Sequence, residues 1–229
     1  MSILKKSKLV AIEAKRPVRL DGMLGDPVWK DAQAYPLSLS LPRLKQGATV
    51  QERGTVKAVW SRQHLYIGVD FQDSDVVAEG ASDGLHHYSL GDTAEVFLWP
   101  EEYTWYWELY ATPAGRQTSF FFPGGGRLGL PSHFCQNFRF KVKTHVEGVL
   151  NDWRIPDKGW SAELAVPVKA LTALGEAWGP GSRWRILVSR YNYSRCLTRK
   201  ELTMYPALPV DDFHARDHYA QLIFGSHKS

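Results

Sequence analysis

The stretch TVKAVWSRQHLYIGVDF, residues 55–71, decides the architecture. Val56, Ala58 and Trp60 alternate with Thr55, Lys57 and Val59. After the polar turn Ser61–His64, Leu65, Ile67, Val69 and Phe71 again recur every second residue. A period of two places these apolar side chains on one face of an extended chain, whereas a helix needs spacings of three and four. Two such runs across a short polar turn predict a β-hairpin.

The same alternation recurs along the chain. AEVFLW (94–99) and YTWYWELYA (103–111) predict a second hairpin. In it Trp105, Trp107, Leu109 and Ala111 face one way, and Tyr106, Glu108 and Tyr110 the other. FRFKVKTHVEG (138–148) sets Phe138, Phe140, Val142, Thr144 and Val146 against a set with Arg139, Lys141, Lys143, His145 and Glu147, which reads as a solvated sheet face. GWSAELAVP (159–167), SRWRILVSRYNY (182–193) and HYAQLIF (218–224) bring the strand count to at least eight. Helical signals are few. Asp26 and Pro27 suit the start of a short helix in DPVWKDAQ, and PVKALTALG reads as another closed by Gly175. The expected fold is an all-β, antiparallel two-sheet sandwich of the immunoglobulin or jelly-roll kind, with short helices in connections. No Pro-, Gly- or Ser-rich linker divides the chain, so residues 1–229 read as one domain, and PGGGRLGLP (123–131) as a mobile inter-strand loop.

Composition narrows the function classes. The 229 residues are 44% hydrophobic and 23% charged, enough for a sizeable core. Nine Trp, ten Tyr and ten Phe fit either sandwich packing or a surface that stacks on flat ligands. The formal charge of +4 is spread without any Lys/Arg run longer than two, and no nucleic-acid reading motif is present, so no nucleic-acid partner is expected. No segment is long and apolar enough for a membrane span, and the opening MSILKKSKLVAIEAKRPVRLDG lacks the apolar run of a signal peptide. As written the chain reads as cytoplasmic, unless a leader was removed. Cys135 and Cys196 are too few for a disulfide framework, and two buried thiols are expected.

Five segments, in order, resemble the family 9 carbohydrate-binding modules and their relatives. They are RLDGMLGDPVWKDA (19–32), VKAVWSRQHLYIGVDFQD (56–73), GDTAEVFLWP (91–100), GWSAELAVPVKAL (159–171) and FHARDHYAQLIF (213–224). The resemblance spans nearly the whole chain. It implies a β-sandwich that binds mono-, di- or oligosaccharides without catalysis, with structural calcium in some members, and with family members often secreted. It also implies that Glu95 accepts hydrogen bonds from sugar hydroxyls and that Glu108 aligns with a polar contact. The family's two clamping tryptophans fall here at Ser89, next to Tyr88, and at Phe213.

The residues themselves allow this and blander uses. Asp92 and Glu95, three apart on a strand, point to opposite faces and form no side-by-side acid pair. Asp92 reads as a turn-closing residue, and Glu95 as an outward side chain on the face of Phe97 and Trp99, solvated or bound to ligand. Glu108 is either such a contact or half of a cross-strand charge pair. Sugars offer a C–H face for aromatic stacking and an edge of hydroxyls for charged acceptors and donors. The candidate ligand-binding set is therefore Tyr88, Glu95, Tyr106, Glu108, Arg190 and Phe213. No catalytic or cofactor residues are assigned. Trp29, Trp60, Trp107, Trp160 and Trp184 are expected in the core, while Trp99 lies on the opposite face.

Three other uses were open. Glu95 and Glu108 could serve a glycoside hydrolase if spaced for it, although nothing in the sequence flanks them to raise a pKa. Met204 and His214 are the candidates for a haem-binding relative of the same sandwich. A cross-loop metal site would draw on His86, His87, His214, Asp217 and His218, although adjacent histidines on an extended segment point apart, and solvated loop histidines are the simpler expectation.

Overall fold

The computed structural model describes residues 7–124, 133–134 and 138–226. The strands are β1 (Lys8–Glu13), β2 (Tyr35–Pro36), β3 (Gly54–Trp60), β4 (His64–Gln72), β5 (Thr93–Pro100), β6 (Tyr106–Ala111) and β7 (Gln117–Phe122). They continue with β8 (His133–Phe134), β9 (Lys141–Glu147), β10 (Gly159–Pro167), β11 (Trp184–Asn192), β12 (Glu201–Tyr205) and β13 (Ala220–Gly225). Three short helices, α1 (Val28–Asp31), α2 (Leu41–Lys45) and α3 (Val168–Leu171), lie in connections.

Hydrogen bonding runs in the order β8-β7-β6-β5-β11-β13-β1-β3-β4-β10-β9, with β12 added to β11 and β2 to β3. The ribbon folds over so that two layers share one core. Val96, Leu98 and Leu109 from the first layer pack in the same cluster as Ile67, Val69 and Leu164 from the second. β1 joins the layers, pairing in parallel with both β13 and β3, while the other described pairings are antiparallel.

The alternation at 55–71 therefore carries the fold as read. Val56, Ala58, Trp60, Leu65, Ile67, Val69 and Phe71 all enter the core, and β3 pairs with β4 through the predicted turn. The five tryptophans expected in the core are buried there, and the charged set of β9 is solvated. The opening of the chain is pinned by a buried carboxylate on β10. Glu163 accepts from the Asp21 and Gly22 amides at 2.8 and 2.6 Å and from Trp29 Nε1 at 2.6 Å. At Gly22 φ is +84°, and a Cβ there would sit 2.5 Å from the backbone of Thr144, so a side chain fits neither the dihedral nor the space. Asp26 accepts from the Val28 amide at 3.1 Å and so closes the first turn of α1, as expected.

Cys196 is exposed rather than buried: it lies in the polar turn after β11, where no apolar layer covers it. Cys135 and nearly all of the 123–131 loop lie outside the described residues. Among the described residues no helix is long and apolar enough to cross a membrane.

Candidate functional site

On the core side of the first layer lie Val96 and Leu98, and on its other side Glu95, Phe97 and Trp99. This outer face does not meet bulk solvent everywhere. β12 extends the same sheet beside β11, and the segment that follows it folds across, so that Phe97, Tyr106, Leu187, Met204, Leu208, Phe213 and Tyr219 form a second apolar cluster. Between that cluster and the strands is a cavity of about 360 Å³, within the range of small-molecule sites. Glu95 and Phe97 come from β5, Glu108 and Tyr110 from β6, Phe120 and Phe122 from β7, and Tyr191 from β11. His86 and Tyr88 reach it from the loop before β5, and Asp211, Asp212, Phe213 and His214 from the loop before β13.

Strand register explains how the two glutamates meet. Glu95 pairs directly with Tyr110 and Glu108 with Phe97, so the glutamates are diagonal neighbours on adjacent strands. Each is sealed by the surrounding rings, at 2% exposure for Glu95 and 4% for Glu108. Ser189, opposite Glu95 on β11, donates to Glu95 Oε2 at 3.1 Å, and Tyr110 Oη donates to Glu108 Oε1 at 2.6 Å. Burial is the main force on both. It pushes Glu95 well above the usual carboxylate range, reinforced by the charge of Glu108 and opposed by the Ser189 and Tyr110 hydroxyls and by Lys200. Burial likewise lifts Glu108 to about 7, with the Tyr110 hydrogen bond pulling the other way. The environment thus does raise these carboxylates, against the sequence-based expectation. The strand pattern gave no sign of the cover supplied by the 206–219 segment.

Aromatic rings wall the cavity. Tyr191 lies between the two rings proposed as a clamp, 5.4 Å from Tyr88 and 5.6 Å from Phe213 between centroids, and stands at 89° to Phe213. The loop bearing Tyr88 is held by Asp92, which closes it as expected. Asp92 accepts from the Val77 amide at 2.8 Å and the Tyr193 amide at 2.7 Å, and Tyr193 Oη donates to the Tyr88 carbonyl at 2.6 Å.

Of the six candidate residues, Tyr88, Glu95, Glu108 and Phe213 come together at this cavity. Two are placed elsewhere. Tyr106 is buried in the wall, stacked on Phe122 at 4.6 Å and hydrogen-bonded to His214 Nδ1 at 2.9 Å, so it positions cavity residues rather than lining the space. Arg190 is on the wrong face. It follows Trp184, Ile186 and Val188 on the core side of β11 and is 0% exposed. Its guanidinium donates to Asp73 Oδ2 at 2.8 Å, Asn192 Oδ1 at 2.9 Å and the Gln72 carbonyl at 2.9 Å, over the Phe71 ring. It closes one end of the sandwich.

Tyr191, one residue on, is the side chain of β11 that lines the cavity, and the alternation of Arg185, Leu187, Ser189 and Tyr191 on the outer face could have identified it. Tyr110, Phe120 and Phe122 were also missed as cavity residues, although Tyr110 had been placed on the correct face.

Of the histidines, His86 lines the cavity, while His87 is buried at 1% exposure rather than solvated, because its short helical turn packs it against Gly80. Among the described residues no group of three or more His, Cys, Asp and Glu is disposed to hold a metal ion. The buried carboxylates Asp73 and Asp92 are turned to Arg190 and to backbone amides instead.

Comparison with known proteins agrees with this geometry. Residues 20–110 match the family described as "Carbohydrate family 9 binding domain-like". The fold is shared with a candidate carbohydrate-binding protein from Bacteroides uniformis, at 14% identity and a TM-score of 0.72, covering 96% of this chain and 99% of that one. It is shared also with a family 9 carbohydrate-binding module from Caldicellulosiruptor kristjanssonii. That module in complex with cellotriose gives 13% identity, 97% and 96% coverage and a TM-score of 0.65, and in complex with glucose 12%, 96% and 97%, and 0.64. No curated protein matches the sequence. Residues 20–110 are thus similar to the family 9 carbohydrate-binding domains, and the whole chain shares the all-β fold of these neighbours.

Proposed function

We propose that this chain binds a saccharide, without catalysis, in the cavity between the outer face of β5, β6, β7 and β11 and the loops that cover it. The observation that carries the reading is the presence of two buried carboxyl groups, Glu95 and Glu108, in a ring-walled space of about 360 Å³. Such groups can accept from, or when protonated donate to, the hydroxyls at a sugar's edge, and in a desolvated site those bonds are strong and directional. Tyr88, Tyr191 and Phe213 offer apolar planes to the C–H face. Burying one sugar face against a ring contributes on the order of 1.5–3 kcal/mol. The family match supports the class of ligand, as do the cellotriose and glucose complexes of the similarly folded module.

Hydrolysis is the less suitable use. It calls for one protonated carboxylic acid and one ionised carboxylate, held by environments that push their pKa values apart. Among the described residues neither Glu95 nor Glu108 has an ion-pair partner that would hold it ionised. Isothermal titration calorimetry against glucose, cellobiose, cellotriose and a broader panel of mono- and oligosaccharides tests the reading. Saturable one-site binding that falls about ten-fold or more in Tyr88→Ala is expected, the scale of one lost stacking face. Absence of heat and of gel retardation with every sugar, from a protein that remains folded, would remove the reading.

A further inference from the structure

We propose that the cavity prefers a basic amino sugar, with a free ring amine, over the neutral and anionic sugars of the same shape. This rests on the saccharide reading above and names the ligand class it implies. Apart from the imidazoles of His86 and His214, the charged side-chain types that line the cavity are all acidic. Glu95 and Glu108 lie at its base and Asp211 and Asp212 at its margin, while no Lys or Arg lines it among the described residues. Neither glutamate is in an ion pair among the described residues. Their hydrogen bonds come from the neutral hydroxyls of Ser189 and Tyr110.

The consequences for three kinds of sugar differ in sign. A sugar carboxylate would meet four acidic groups with no Lys or Arg lining the space among the described residues. A neutral hydroxyl would find acceptors but no attraction of charge. A protonated amine would find acceptors, opposite charge in a desolvated space, and ring faces that attract cations. The chain already shows such an attraction beside the cavity. The Lys200 ammonium sits over the Tyr191 ring, 4.9 Å from its centroid, and its charge acts on Glu95. A ligand amine on the cavity side of the same ring would use the same forces.

Burial favours the protonated glutamates, and an entering ammonium favours the ionised ones. The amine should therefore bind with release of a proton, a carboxylic O–H giving its proton to the buffer and its carboxylate to the ion pair.

The test is calorimetry on the full chain at pH 6.5 with paired ligands: glucosamine against glucose, galactosamine against galactose, mannosamine against mannose, with N-acetylglucosamine and glucuronate as the neutralised and anionic forms. One amine should bind about ten-fold or more tightly than its hydroxyl parent, the scale of one charge-assisted hydrogen bond. N-acetylation should abolish the preference, glucuronate should bind most weakly, and the enthalpy for the amine should vary with the ionisation enthalpy of the buffer. In Glu108→Gln the ratio of amine to parent should collapse toward one. A parent sugar that binds as tightly as its amine, or a ratio unchanged in Glu108→Gln, overturns the inference and leaves the saccharide reading in place. Silence from every sugar removes both.

Discussion

Glu108→Gln should make this protein more stable at neutral and alkaline pH while weakening its hold on ligand. A carboxyl group whose pKa rises on folding, here from 4.5 to about 7, has its charged form disfavoured by the fold. The unfolded chain ionises it near 4.5, and the folded chain resists. Below pH 4.5 both states hold the proton and the group costs nothing. As pH rises toward 7 the folded state loses ground, and above 7 the loss is complete. At about 1.4 kcal/mol per unit, the full penalty is on the order of 3 kcal/mol. Glutamine removes the charge and keeps an oxygen to accept from Tyr110 Oη, but it places amide N–H donors in a buried site where the carboxylate offered only acceptors, which takes back about 1–2 kcal/mol of the gain. A net stabilisation of about 1–2 kcal/mol is expected at pH 8, and close to none at pH 4. For a chain of this size that is a rise in Tm of roughly 2–8 °C. Urea denaturation of both proteins at pH 4, 6 and 8 measures it. If the variant is destabilised equally at all three values, Glu108 is ionised and well paired in the fold, and both the penalty and the charge argument for an amine fail.

Arg190→Met should lower stability by about 3–5 kcal/mol by stranding the Asp73 carboxylate in the interior, with Asp73→Asn recovering part of the loss; unchanged Tm with lost sugar binding would restore Arg190 as a ligand contact. The direction of the pair supports this, because burial raises Asp73 more than the guanidinium lowers it, so the carboxylate depends on its partner. Tyr191→Ala should reduce sugar affinity by about ten-fold or more with little change in Tm, since the ring is half-buried at the cavity edge, and equal affinity would place the ligand elsewhere. His87, at 1% exposure and with neither ring nitrogen hydrogen-bonded among the described residues, is held below its ordinary 6.5 by burial and by Arg116, against the pull of Asp83. The unfolded chain therefore takes up the proton first, and stability should be present above pH 6.5 and fall as pH drops below it. His87→Leu should flatten that part of the profile in a pH series of urea midpoints, and an unaltered slope would acquit His87.

How much of this was legible in the sequence follows from what alternation encodes. Period two states which side chains share a face, and the core faces of β3, β4, β5, β6 and β10 were all readable from it. It does not state what lies over a face. Glu95, Phe97 and Glu108 were correctly placed on the outer side, yet their burial depends on residues 206–219 crossing more than ninety positions later in the chain. No local pattern announces such a crossing. The same limit hid the raised carboxylates, because desolvation is set by the cover rather than by the strand.

Arg190 failed for a different reason. Its charge suggested the wet face, but Trp184, Ile186 and Val188 had already fixed the phase of β11, and phase should outrank charge when the two disagree. A buried charge is tolerated where a partner is waiting, and Asp73, Asn192 and the Gln72 carbonyl supply three. Glu95 and Glu108 have no such cation among the described residues. The two kinds of buried charge in this molecule are thus distinguished by their neighbours. Arg190 is ion-paired and hydrogen-bonded within the fold through its two terminal nitrogens and closes it, whereas the glutamates remain a standing cost that folding alone does not explain. A fold retains such a cost where another molecule offsets it, which is why the binding proposal rests on the glutamates rather than on the equally buried, ion-paired arginine.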